Sequence, residues 1–377
     1  MLRSCLNPLQ SLLPLSSDSR DPMLWTTDIK NHSSGYLSMA VVQANTSMED
    51  QSQVITGPWG SFVGVYDGHG GPQASRYLSH HLFSRLEKFV LKEGKMSTEV
   101  FRMAFSAIEE EFLHFVTRSW EGQPELVSTG SCCLVGVISN NMLYVASLGD
   151  SRAVLGSVNA KRSIKAERLS TEHNAAEEEV RKELKSLHPD DSHIVVFRNG
   201  VWRVKGIIQV SRSIGDIYLK KPEFNRDPLF QHFGFPLKIR RPVLSAEPSV
   251  HGHSLKLEDR FIIFASDGLW EQISEQEAAE IVYNNARTGI AKRLVRAALQ
   301  VVAKKRDMKY AELQKIERGV RRNYHDDISV IVIYLDHEAI SQQSSQPSFF
   351  NRIEAHCTSA PTDIFTSDGV EMDGSCD

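Results

Sequence analysis

Four apolar, β-favouring runs in this chain begin or end on an acidic residue. Residues 62–66 (Phe62, Val63, Val65, Tyr66) read as a buried strand that stops at Asp67, with Gly68, His69, Gly70 and Gly71 behind it. Residues 260–266 stop at Asp267-Gly268, and residues 141–148 stop at Gly149-Asp150. The strong run 328–335 starts just after Asp326-Asp327. In an antiparallel sheet the end of one strand lies beside the start of its neighbour. These acids can therefore converge on one rim, where they repel one another unless a cation sits between them. Oxygen donors favour Mg²⁺ or Mn²⁺ over zinc. The glycines behind Asp67 let the backbone approach a metal ion or a phosphate closely. An ordinary glycine turn explains any one run about as well, so the argument rests on the recurrence.

Read in order, Met48-Glu49-Asp50, Asp67-Gly68-His69-Gly70-Gly71, Gly149-Asp150-Ser151-Arg152, Ser211-Arg212-Ser213-Ile214-Gly215-Asp216, Ser266-Asp267-Gly268-Leu269-Trp270-Glu271 and Asp326-Asp327-Ile328-Ser329 form one series. The series resembles the metal-dependent serine/threonine protein phosphatases of type 2C, the PPM family, from about residue 34 to residue 336. The wording of Val42-Gln43-Ala44-Asn45 is most similar to the plant group called clade D. The resemblance implies an α/β fold of the α+β type: a four-layer α-β-β-α sandwich with two central antiparallel sheets and a dimetal site at one edge. It places a phosphatase domain at 34–337; residues 1–33 read as a flexible extension, and the Ser/Gln-rich, then acidic stretch 338–377 as a disordered tail.

The same resemblance assigns roles. Asp67 bridges two Mg²⁺ or Mn²⁺ ions, the carbonyl of Gly68 completes one, and Asp267 and Asp326 hold the other. Asp150 and Glu271 form an additional, weaker site. Glu49 and Asp50 hold metal-bound water, and Asp327 is supportive. A metal-bridging hydroxide attacks the phosphorus of phosphoserine or phosphothreonine, and His69 protonates the leaving oxygen. The blander role for His69 is to orient metal-bound water. One departure stands out: where many relatives carry a phosphate-gripping Arg, this chain has Asn45. Asn lacks the charged fork of Arg, so small phosphate esters are expected to bind weakly. The alternative reading is a pseudophosphatase scaffold with weak or no turnover. A metal-dependent phosphodiesterase or nuclease ranks below both.

Composition narrows the classes. Lys and Arg total 43 against 47 Asp and Glu, a formal charge of −4, which argues against a general nucleic-acid binder. The five cysteines show no Cys-x-x-Cys spacing, which argues for a reducing compartment and against a disulfide framework or zinc site. No apolar run is long enough to span a bilayer. The expected setting is intracellular, in cytoplasm or nucleus or at the inner face of the plasma membrane. The expected form is a monomer acting on phosphoproteins. The clade D likeness implies plasma-membrane proton pumps as substrates and small auxin-induced proteins as inhibitory partners.

Helical spacing predicts one helix after Pro72, one from Ser97, a charged one near 175–187, one opened by the capping box Ser274-Glu275-Gln276-Glu277, and one at 290–305. The basic side of that last helix reads as a solvated face. Residues 188–204 lack clear periodicity and fall where the resemblance implies a mobile flap. Residues 211–216 read equally well as a turn held by an Arg212–Asp216 ion pair and as a direct substrate contact; Arg152 is an expected brace of the site, and His173 a helix-start residue. Residues 222–242, rich in Pro and Phe, read as an irregular insertion.

Overall fold

The computed structural model describes residues 21, 23–57, 59–225, 239–343 and 353–357. Its strands, in chain order, are β1 (Leu24–His32), β2 (Gly35–Val42), β3 (Gln51–Gly57), β4 (Gly60–Tyr66), β5 (Gly68–His69), β6 (Gly130–Ser131), β7 (Cys133–Ser139), β8 (Met142–Leu148), β9 (Arg152–Val158), β10 (Ile164–Arg168), β11 (Val195–Arg198), β12 (Val201–Val204), β13 (Ile214–Gly215), β14 (Ser249–Ser254), β15 (Asp259–Ala265), β16 (Ile328–Leu335) and β17 (Ile353–Cys357). Two six-stranded antiparallel sheets carry the fold, in the orders β1-β2-β16-β15-β9-β10 and β14-β8-β7-β4-β3-β17.

The apolar pattern explains the layers. Leu37, Met39, Phe264, Ile331 and Ile333 of the first sheet pack on Val63, Val65, Leu134 and Val145 of the second. The outer face of the second sheet is covered by α1 (Gln73–Glu93) and α2 (Thr98–Ser119), and α3 (Glu178–Leu187) packs into the same core. The outer face of the first is covered by α5 (Glu275–Tyr283) and α6 (Ile290–Lys305). A strand covered on both faces is apolar throughout rather than alternating, which is why β16 reads Ile-Ser-Val-Ile-Val-Ile-Tyr-Leu. The short helices α4 (Asp267–Trp270), α7 (Tyr310–Leu313) and α8 (His337–Ser341) complete the described α-helices. The four-layer sandwich is as expected. Among the described residues no helix is long and apolar enough to cross a membrane.

Local chemistry sets the boundaries. Gly94 ends α1 in the left-handed conformation (φ 73°), its N–H donating to the Val90 carbonyl. The Ser97 hydroxyl accepts from the Val100 N–H and opens α2. The expected capping box opens α5: the Ser274 N–H donates to Glu277 Oε2, and the Glu277 N–H to Ser274 Oγ. Asn140 and Asn141, with φ of 50° and 60°, make the tight turn between β7 and β8.

The structure departs from the expectations at several places. Residues 24–32 are not part of an extension: β1 pairs with β2 along its length. Residues 1–20 lie outside the described residues, so the expected extension is addressed only in its last part. Residues 195–204 form a hairpin turned by Asn199 (φ 54°) and Gly200 (φ 80°), a pairing that the short strands hid from a periodicity reading. The charged helix starts at Glu178 rather than near 175. After residue 337 the chain forms α8, and β17 then adds antiparallel to β3. Residues 344–352 and 358–377, like 226–238 of the expected insertion, lie outside the described residues.

Asp21 shows why the domain begins before residue 34. Its carboxylate accepts from Arg296 Nε (3.0 Å), the Tyr310 hydroxyl (2.6 Å) and Gln314 Nε2 (3.0 Å), fastening the chain ahead of β1 to α6 and α7. Burial alone pushes its pKa up, but these donors outweigh it and the net shift is downward. A lowered folded pKa stabilises above the unfolded value, near 3.9, and that stability is lost as pH falls through the folded pKa. Asp21→Ala is expected to lower unfolding free energy by about 3 kcal/mol at pH 7, by leaving Arg296 without its partner. The deficit narrows below about pH 4. Denaturant titration of both proteins at pH 7 and pH 3.5 checks this.

Candidate metal centre

Antiparallel pairing brings the acids to one rim. β4 and β8 both pair antiparallel with β7, so they run in the same direction and deliver Asp67 and Asp150 to the same end. In the other sheet β15 ends where β16 begins, Ala265 opposite Val330, which sets Asp267 beside Asp326 and Asp327. Oxygens of Asp67, Asp150 and Asp267 all lie within 4.8 Å of one another. Asp326 joins them through its electrostatic effect on both Asp67 and Asp267.

The cluster resists ionising by itself. Burial first, then the neighbouring carboxylates, push Asp50, Asp67 and Asp267 well above the usual carboxylate range. Asp326 is pushed up to about 6 by burial, with Arg322 opposing the rise. Glu49 and Glu271 are raised for the same first reason. Asp267 Oδ1 is buried with no hydrogen-bond partner. A buried carboxylate oxygen lacking a donor, among other carboxylates, fits a divalent cation. Cys132 lies against Asp150, Sγ to Oδ1 at 3.4 Å, and burial and the acids' charges push its thiol well up. Among the described residues, the ligand atoms that converge are the carboxylate oxygens of Asp67, Asp150 and Asp267.

Around the rim, other residues hold the shape. Asp327 accepts from the backbone N–H groups of Ala44 (2.6 Å), Asn45 (3.0 Å) and Glu49 (2.8 Å), so it pins the loop after β2. Asp50 is buried and accepts from the Ser266 hydroxyl at 2.8 Å. Gly68 has no room for a side chain: a Cβ there would stand 2.4 Å from the Glu49 carbonyl oxygen.

His69 sits at the mouth, its side chain 30% exposed, with Nε2 2.8 Å from Asp216 Oδ2. Burial pushes the imidazole pKa down, but Asp216 outweighs it and the net shift is upward. Asp216 itself accepts from the Ser213 hydroxyl at 2.6 Å. The expected Arg212–Asp216 ion pair is not formed. Arg212 reaches Glu183 at 2.8 Å, because Asp216, with φ of 50°, turns its carboxylate inward to His69. The partner of His69 was missed in the sequence, since nothing in spacing links positions 147 residues apart. Gly130 was missed as well: a Cβ there would lie 2.2 Å from Asp216 Oδ2 and 2.4 Å from His69 Nε2.

Arg152 pairs with Glu172 (3.1 Å) and Glu275 (3.3 Å), and so ties β9 to α5 rather than bracing Asp150. Asp150 is steadied instead by Asn174 Nδ2 at 2.7 Å. His173 is buried five residues before α3 and bonds Ser249 Oγ at 2.8 Å, so it is a packing residue rather than a helix start.

Comparison with known proteins agrees with this geometry. The profile of the family "Protein phosphatase 2C" matches residues 41–307. The rice (Oryza sativa subsp. japonica) protein called "Probable protein phosphatase 2C 78" is 57% identical over 354 residues, 94% of this chain and 90% of the relative. The Arabidopsis thaliana "Probable protein phosphatase 2C 63" is 54% identical over 378 residues, 99% of this chain and 98% of the relative. Among solved structures, a serine-threonine phosphatase 2C from Toxoplasma gondii superposes with a TM-score of 0.58 over 84% of this chain and 100% of its own. At 16% identity that likeness speaks to the fold alone. The plant relatives match along nearly the whole chain at more than half identity, and so this chain belongs to the protein phosphatase 2C family.

Proposed function

We propose that Asp67, the Gly68 carbonyl, Asp267 and Asp326 hold a pair of Mg²⁺ or Mn²⁺ ions for the hydrolysis of phosphoserine and phosphothreonine in proteins. A further ion is assigned between Asp150 and Glu271. The observation that carries this reading is the approach of the Asp67, Asp150 and Asp267 oxygens to within 4.8 Å of one another at one rim, with Asp150 buried and the other two partly buried. When bound, the ions supply charge neutralisation at the phosphoryl group and a nucleophile near neutral pH.

The chain's own residues do the rest. His69, partly exposed at the mouth, gives its proton to the leaving serine or threonine oxygen, and Asp216 orients it. Asp327 keeps the loop carrying Glu49 against the rim. The acid set is complete, which supports turnover over a scaffold role. Phosphoproteins are the substrates. The clade D wording at 42–45 supports plasma-membrane proton pumps among them and small auxin-induced proteins as inhibitors; the protein is read as a monomer in an intracellular setting.

The test is phosphate release from a phosphoserine protein. Release is expected to stop in EDTA and return with excess Mg²⁺ or Mn²⁺. Turnover that survives the chelator contradicts the reading.

A further inference from the structure

We propose that Arg322 is the side chain that grips the oxygens of the substrate phosphate, supplying a charge that position 45 lacks. The inference rests on the phosphatase reading above and deepens it. Arg322 lies in the short turn Arg321–Asn323, four residues before Asp326. Its Nη2 donates to Asp326 Oδ2 at 2.7 Å, and its side chain is 51% exposed. The Asn45 amide meets the same carboxylate on its other oxygen, Nδ2 to Oδ1 at 3.4 Å. A cation and a neutral amide thus flank one acid of the metal centre, and the cation is the more exposed of the two.

The surrounding contacts fix where Arg322 stands without immobilising its fork. Arg321 is buried and donates to the carbonyls of Gln43 (2.8 Å) and Ile316 (2.8 Å), clamping the turn to the end of β2. Arg306 donates to the Asn323 carbonyl at 2.9 Å from the other side. Those two arginines serve the backbone, while Arg322 faces the rim. Its charge is also felt by Glu271, with that of Lys305 behind it. Only Nη2 engages Asp326, and a guanidinium binds phosphoryl oxygens bidentately through such a fork.

The test compares Arg322→Gln and Arg322→Lys with the wild-type protein, all loaded with Mn²⁺. Three quantities are read: KM for a phosphoserine peptide, the inhibition constant of inorganic phosphate, and Mn²⁺ affinity by calorimetry without phosphate. Gln is expected to raise KM and the phosphate inhibition constant about tenfold or more, while Mn²⁺ binding stays equal or tightens. Lys is expected to fall between, since it keeps the charge and loses the fork. The proposal is overturned if Gln moves both phosphate constants less than twofold, or if Mn²⁺ affinity falls in parallel with them, since Arg322 would then act only through Asp326. Wild-type protein that releases no phosphate with either metal overturns the phosphatase reading instead, a result distinct from both.

Discussion

Asp267→Asn is expected to reduce phosphoserine turnover at least about a thousandfold at any Mg²⁺ or Mn²⁺ concentration within reach. Asp267 Oδ1 is buried without a donor, and its nearest companions are other carboxylates. An amide there removes one negative charge and directs an N–H or a neutral oxygen at the ion. The fold should survive, and even gain stability without metal, because one of several mutually repelling buried charges is gone. Activity across a metal titration, read beside a thermal melt, separates the two effects. Near-normal turnover at high Mn²⁺ would contradict a direct role for Asp267.

His69→Gln is the second large effect, and its size depends on the substrate. A serine alkoxide is a poor leaving group, so losing its proton donor should lower kcat by about 10² or more on a phosphoserine peptide. A nitrophenyl phosphate leaves without a proton, so the loss there should be within a few-fold. KM should change little in either case, since the proton moves in the transition state. Equal losses on both substrates would show that His69 orients the site instead of acting as the acid.

The rim was legible in the sequence because each acid stands at the end of a strong apolar run. Strand pairing then forces Asp67 and Asp150, and Asp267 and Asp326, to neighbouring positions. The alternation of strand and helix runs implied only a mixed α/β architecture; the four layers were an expectation of the family resemblance. What the sequence did not reveal is contact between distant polar groups. The pair His69–Asp216, the need for a bare backbone at Gly130, and the meeting of Arg322 with Asn45 on Asp326 all depend on the packing of loops. The hairpin β11–β12 was hidden for another reason. Its four-residue strands are too short for alternation to emerge, although Asn199-Gly200 is a strong turn signal by itself. β1 was missed because its polar residues, at the sheet edge, mask a strand pattern.

The account depends on clustered carboxylates that exist to bind cations. Calorimetric titration of the metal-stripped protein with Mn²⁺ reads that directly. At least two ions should bind per chain, and Asp67→Asn should lose one or more of them while remaining folded. A wild-type protein that binds no Mn²⁺, or an Asp67→Asn variant with the full count at unchanged affinity, would contradict it.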